Sequence, residues 1–274
     1  MYTDYFRLRE EPFSITPDPR YLFLTAQHRE ALNHLLYGIR ERKGFISLTG
    51  EVGAGKTTLC RALLNELGPR YHTALVLNPL LSNTQLMVAV LEEFALHIEE
   101  TDDKMGYLRL LNKFLLRVNS AGDDAVLIID EAQDMPIKAM EMVRLLGNLE
   151  TERQKLLQIV LVGQPELARR LSRPSLRQLA QRITVRFHLT AMSAHDTEDY
   201  IRHRLQVAGA PQEGNCILKF DRGAIREIYR YSRGTPRLVN AVGDKALLAG
   251  YVYRTGQIDR NLIRLAIAEL KEAG

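Results

Sequence analysis

Gly50-Glu51-Val52-Gly53-Ala54-Gly55-Lys56-Thr57 fits Gly-x-x-x-x-Gly-Lys-Ser/Thr. In that loop backbone N–H groups surround phosphates, a lysine reaches the terminal pair and a hydroxyl holds Mg²⁺. The flanks separate it from a glycine-rich structural turn. Phe45 to Thr49 is a short apolar run of strand type, and Thr58 to Leu67 puts Leu59, Leu63 and Leu67 on one helical face. Strand, glycine loop and helix follow in order, so the helix N-terminus aims free N–H groups and the positive end of its dipole at the phosphates. Gly50 to Thr57, with Thr58 beside them, are the expected nucleotide contacts.

The next acidic pair lies downstream. Ala125-Val126-Leu127-Ile128-Ile129 is a continuous apolar run, as expected of a central strand buried on both faces, and it ends in Asp130-Glu131. Ligands of open α/β sheets gather at the carboxyl ends of strands. Asp130, with Thr57, would hold Mg²⁺, and Glu131 would polarise the water that attacks the γ-phosphate. The same two carboxylates could instead cap a helix whose start Asp134 and Pro136 mark; the phosphate loop favours the metal reading, because phosphoryl transfer needs a strand-end acid for the cation.

Gln158 to Val162 reads as another strand, ending in Gly163-Gln164-Pro165. Gln164 there would touch the γ-phosphate or hold the attacking water; its alternative is a plain turn residue before a proline. Arg177, Arg182 and Arg186 precede or enter a strand at Ile183 to Leu189. An arginine offered to a neighbouring subunit's nucleotide stabilises transition-state charge. Arg182 is the first candidate and Arg177 the second, against a surface salt bridge for each.

Around these sites the chain organises itself into three parts: a lead-in and helix over 1–40 packed on the core, a core over 41–190, and a lid over 191–274. Pro12, Pro17 and Pro19 make the opening extended, and Thr25 or a neighbour caps a helix to about Arg40. Further strands at Thr73 to Asn78, helices at Gln85 to His97, Met105 to Val118 and Ile137 to Glu150, and the runs above predict an α/β fold with a five-stranded parallel sheet flanked by helices. From Ser193 onward the pattern is helical, with starts at Ser193 or Asp196, Asp221, Pro236 and Asp259, and predicts a small all-helical lid. Arg237 lies in the first turn after Pro236. A helix N-terminus prefers acids, so an arginine there suits a swing toward bound phosphates.

Composition excludes little else. The 274 residues are 26% charged and 46% apolar with net charge +4, an ordinary globular balance. Two cysteines, Cys60 and Cys216, are too few for a disulfide framework and favour a reducing compartment. No opening signal and no apolar run of spanning length is seen, so a cytoplasmic protein is expected. Between Glu166 and Arg264 there are 18 Lys/Arg against 9 Asp/Glu, which suits an acidic partner: duplex DNA, an anionic membrane surface or another subunit.

Together these residues resemble an AAA+ ATPase over nearly the whole chain. The likeness narrows in Glu11-Pro12-Phe13-Ser14-Ile15-Thr16-Pro17-Asp18-Pro19, Asp130-Glu131-Ala132-Gln133, Leu161-Val162-Gly163-Gln164-Pro165-Glu166-Leu167 and Arg177-Gln178-Leu179-Ala180-Gln181-Arg182-Ile183. These resemble the ExeA, or general secretion pathway protein A, family, and the short length is most like its members in MSHA pilus biogenesis. The resemblance implies ATP and Mg²⁺ as ligands and homo-oligomers completed by an arginine finger. It also implies inner-membrane secretion or pilus assembly proteins as partners, met at the inner face of that membrane. Longer members continue into a transmembrane helix and a periplasmic peptidoglycan-binding part. Transposition target-selection ATPases resemble the same motifs, which keeps a role on duplex DNA as the alternative.

Overall fold

The computed structural model describes residues 1–14, 18–98, 104–210 and 218–272. The expectations on Ile15, Thr16, Pro17 and Cys216 lie outside the described residues. The chain forms two compact units, one of 26–51 and 56–189, the other of 1–25, 52–55 and 190–274.

The first is the sheet unit. Its strands are β1 (Phe45–Gly50), β2 (Tyr71–Val76), β3 (Asp124–Ile129), β4 (Leu157–Gly163) and β5 (Ile183–Leu189). They lie in the order β2-β3-β4-β1-β5, and every pairing is parallel. β1 and β4 are buried along their whole length, which is why they read as unbroken apolar runs rather than alternations. The edge strand β5 instead exposes Thr184, Arg186 and His188, charge and polarity that discourage a further strand. Leu86, Leu91, Leu111, Leu115, Val143 and Leu146 close the core against the sheet; each such side chain contributes about 1.5–3 kcal/mol on leaving water.

Element boundaries moved where turn chemistry overrides apolar content. β2 stops at Val76, although Leu77 is apolar, because Asn78 Oδ1 accepts the Leu80 N–H at 3.3 Å and turns the chain. The next helix is Asn83–Glu93, started by a reciprocal capping box between Ser82 and Gln85, and not 85–97. The helix expected to run to Glu150 ends at Leu146. Gly147 follows because a Cβ there would sit 2.2 Å from the Phe45 ring. Gly147→Ala is therefore expected to cost about 1–3 kcal/mol by overpacking, read as a lowered urea midpoint; an unchanged midpoint would show that Phe45 can move aside.

The second unit is built on helices Ala194–Val207, Arg222–Ser232, Pro236–Val252 and Arg260–Glu272. The expected caps are present: Ser193 accepts from Asp196 N–H at 3.1 Å, Asp221 from Ala224 N–H at 2.6 Å, and Asp259 from Leu262 N–H at 2.9 Å. Two corrections apply. The unit is not all helical, since β6 (Lys219–Phe220) and β7 (Gln257–Ile258) pair in parallel. And the first 25 residues, expected to dock on the sheet core, cluster with this unit. Phe6, Phe13, Tyr21 and Tyr2 join its hydrophobic core beside Met192, Tyr200, Val239 and Ile263. Cap residues mark the start of Ala194–Val207 but carry no information about which distant segment covers it.

Candidate active site

β1, β3 and β4 are parallel neighbours, with Thr49 opposite Gly163 and Ile129 opposite Leu161, so the residues that follow each strand emerge at one end of the sheet. The phosphate loop follows β1, Asp130-Glu131 follows β3, and Gln164 follows β4. Sequence order conceals this, because β4 inserts between β1 and β3.

The loop itself has the backbone its glycines predict. Gly53 and Gly55 have φ of 75° and 96°, a region in which a Cβ is strained, while Ala54 is buried. Gly53 and Arg237 both belong to the second unit, and a Cβ on Gly53 would lie 2.9 Å from the Arg237 Cβ. Arg237 thus comes within contact of the loop, with an exposed side chain. Its helix is entered through Gly234, φ 76°, where an added Cβ would be 1.9 Å from the Met192 carbonyl oxygen. No other residue fits there.

Lys56 opens helix Lys56–Leu67 and is only 5% exposed. Its Nζ donates to the Gly50 carbonyl at 2.9 Å and the Glu51 carbonyl at 3.0 Å, which curls the ammonium back over its own loop. A buried cation held by neutral carbonyls is undercompensated and fits a loop made for an anion. Thr57 Oγ1 donates to Asp130 Oδ2 at 2.6 Å. Two hard oxygen donors side by side, one of them a carboxylate 2% exposed, are the donor type that Mg²⁺ selects. Both groups therefore fit a nucleotide with its cation. Thr58, the last expected contact, is exposed. Cys60, on the same helix, is buried; burial first, and then the Asp130 charge, push its thiol far up, leaving it an inert packing group.

Glu131 sits in a left-handed conformation, φ 49°, its N–H donating to Asp130 Oδ1 at 2.8 Å. A non-glycine residue held there costs about 1–3 kcal/mol, a strain that surrounding bonds must sustain. The carboxylate accepts from two amides: Gln133 Nε2 at 2.7 Å and Gln164 Nε2 at 3.3 Å. The structure thereby brings Gln164 to the Glu131 carboxylate. Sequence reasoning gave no role to Gln133 or to Arg170, whose guanidinium grips the carbonyls of Gln133 and Met135. Neither has a periodic signature; Asp-Glu-Ala-Gln was visible only as a string.

The arginines before β5 separate. Arg182 donates to the Arg144 carbonyl at 3.3 Å and to the Asn148 side chain, and Arg186 to the Ala180 carbonyl at 2.6 Å. Arg177, at the start of helix Arg177–Ala180, is exposed and borders a cavity of about 390 Å³ with Leu171, Pro174 and Arg186.

Residues 39–171 match the family model described as AAA domain. The chain is 44% identical over 270 residues to general secretion pathway protein A of Aeromonas hydrophila, an alignment taking in 98% of this chain and 48% of that protein. The chain is thus similar to GspA-type proteins and matches an AAA domain over its middle. It spans about half the length of that relative. Among solved structures, the ORC2 protein of Aeropyrum pernix in its ADP form superposes with a TM-score of 0.68 at 15% identity, covering 94% of this chain and 72% of that one. The RuvB Holliday junction branch migration motor of Thermotoga maritima gives 0.58 at 17%, covering 92% and 73%. At such identities these two share the fold of this chain and nothing more is carried over from them. No helix among the described residues is long and apolar enough to cross a membrane.

Proposed function

We propose that this chain is a GspA-type, Mg²⁺-dependent ATPase. It works as an oligomer on the cytoplasmic face of the inner membrane and drives assembly or remodelling of a type II secretion or MSHA-type pilus complex. The observation that carries the ATPase reading is the convergence of the Thr57–Asp130 pair with Glu131 at the carboxyl ends of β1 and β3. The envelope role rests on the name of the Aeromonas relative.

In this reading the N–H groups of Gly50 to Thr58 and the Lys56 ammonium hold the phosphates. Thr57 and Asp130 orient the cation; Mg²⁺ when bound supplies charge neutralisation at the phosphate oxygens. Glu131 orients and polarises the attacking water, and Gln164 holds the same water or the γ-phosphate oxygen from the next strand. Arg237, which lies beside Gly53 in the same unit, would report phosphate charge to its helix. For the finger we favour Arg177 over Arg182, because Arg182 is already spent on the Arg144 carbonyl and the Asn148 side chain, whereas Arg177 is exposed.

The test is the steady-state ATPase rate per subunit against protein concentration, with and without duplex DNA at low salt. An envelope motor completed in trans gives a rate that climbs with concentration, ignores DNA and loses its climb in Arg177→Ala. The alternative, a motor acting on duplex DNA, is favoured by the exposed Arg222, Arg226 and Arg230 along one helix of the second unit. It predicts strong stimulation by DNA that falls away with added salt, and that result would displace the envelope reading.

A further inference from the structure

Glu131 is held by a built cluster. Gln133 is 7% exposed and uses both ends of its amide. Nε2 donates to Glu131 Oε2 at 2.7 Å and to Asp134 Oδ2 at 3.0 Å. Oε1 accepts the Gln164 backbone N–H at 3.0 Å. Because Oε1 takes a backbone donor, the amide has one orientation, and its donors must face the carboxylates. The neighbouring chain makes room for it. A Cβ on Gly163 would lie 2.7 Å from Gln133 Oε1, so the residue closing β4 is glycine at the point where the amide passes. From below, Arg170 grips the Gln133 and Met135 carbonyls and fixes the 3-10 turn Ala132–Asp134 that carries the amide.

We propose that Gln133 is a positioning residue that sets the Glu131 carboxylate for its water and locks it to Gln164. The strand-end glutamine and the catalytic carboxylate then move as one body. This rests on the reading of Glu131 as the water-polarising group. Two amides on one carboxylate oxygen leave the other oxygen of Glu131 for the attacking water. The Gln133 bond to the Gln164 backbone means that a displacement of Gln164 by the γ-phosphate displaces Glu131 with it. The Gln133 amide is taken up by Glu131, Asp134 and the Gln164 N–H, so its effect passes through Glu131.

The full chain is assayed for steady-state ATP turnover at fixed protein concentration and for binding of a fluorescent N-methylanthraniloyl ATP. Gln133→Ala should lower kcat roughly 10–100-fold, the range for residues that orient a reacting group from behind. KM and the analogue Kd should stay within about twofold, a split that a merely structural role would not give. Gln133→Glu, of equal size, keeps the packing but loses the amide donors, and should lose kcat at least as far while still binding the analogue. Gln133→Ala combined with Gln164→Ala should fall no further than the worse single variant, since both act on one carboxylate. The proposal is overturned if Gln133→Ala turns over normally while Glu131→Gln does not, if kcat and analogue binding fall together, or if the double variant shows multiplied losses. Normal turnover in Glu131→Gln would instead remove the reading of Glu131 on which the proposal stands.

Discussion

Glu131→Gln is expected to lower kcat for ATP by roughly 10²–10⁴-fold, the span for a positioned general base. Nucleotide affinity should stay within about threefold, since the carboxylate contributes to the reacting water and not to ground-state binding. Size and shape are conserved, so the Gln133 and Gln164 amides keep an acceptor in Oε1 of the new residue. The left-handed backbone is preserved as well, because the Glu131 N–H bond to Asp130 Oδ1 involves no side-chain atom of residue 131. What is lost is the negative charge that, in the proposed mechanism, polarises water. Paired single-turnover ATPase and analogue-binding measurements distinguish the two quantities. A variant that still hydrolyses at the wild-type rate removes Glu131 from the chemistry and moves the search to Asp134, the next carboxylate on the same turn. A variant that no longer binds would show that the Asp130 region had been distorted and that charge at 131 supports the cation.

What the sequence made legible followed from short-range rules. The phosphate loop, the strand-end carboxylates and the helix caps at Ser193, Asp221 and Asp259 depend on residues within a few positions of each other, and each was found where the local chemistry placed it. The parallel sheet was legible for a related reason: strands buried on both faces leave runs such as Ala125 to Ile129 with no polar interruption. Long-range placement was not legible. Gln133 matters because the Gln164 N–H, 31 residues on, comes within 3.0 Å of it. Arg182 looked like an arginine free for a neighbour until the end of helix Ile137–Leu146 was seen to occupy it. The opening residues share the limitation in a larger form: they were expected to pack on the sheet core, and they cluster with the other unit.

That docking gives the second large effect, because it converges on one side chain. Arg204 lies in the last turn of helix Ala194–Val207 and is 6% exposed, a burial that guanidinium groups reach only when their protons are used. Here Nε donates to the Pro12 carbonyl at 2.5 Å and a terminal nitrogen to the Ser14 carbonyl at 2.6 Å. The group also lies 4.3 Å from the centre of the Tyr21 ring and 5.8 Å from that of Tyr200. One fork therefore fastens the opening segment on both sides of its turn. Arg204→Ala leaves carbonyls without their charged donors, at about 1–3 kcal/mol each, and removes a desolvated cation–π contact worth about 2 kcal/mol. The expected loss is roughly 3–5 kcal/mol from the unit of 1–25 and 190–274. Arg204→Lys keeps the charge but not the planar fork, and should recover less than half of it. Urea unfolding followed by limited proteolysis reads both outcomes: the variant should be cut within the first 25 residues at denaturant concentrations where the wild type is intact. Equal cleavage would show that Phe6 and Phe13, buried at 1% and 2% exposure, hold the segment by apolar contact alone. Preserved resistance in Arg204→Lys together with loss in Arg204→Ala would assign the stabilisation to charge rather than to the fork. The result matters for the site because Met192, Gly234 and Arg237 belong to the same unit as the opening segment. Loosening that segment should then weaken the seating of Arg237 without touching Lys56, Thr57 or Asp130: the Lys56 bonds to the Gly50 and Glu51 carbonyls and the Thr57–Asp130 bond are made within the sheet unit.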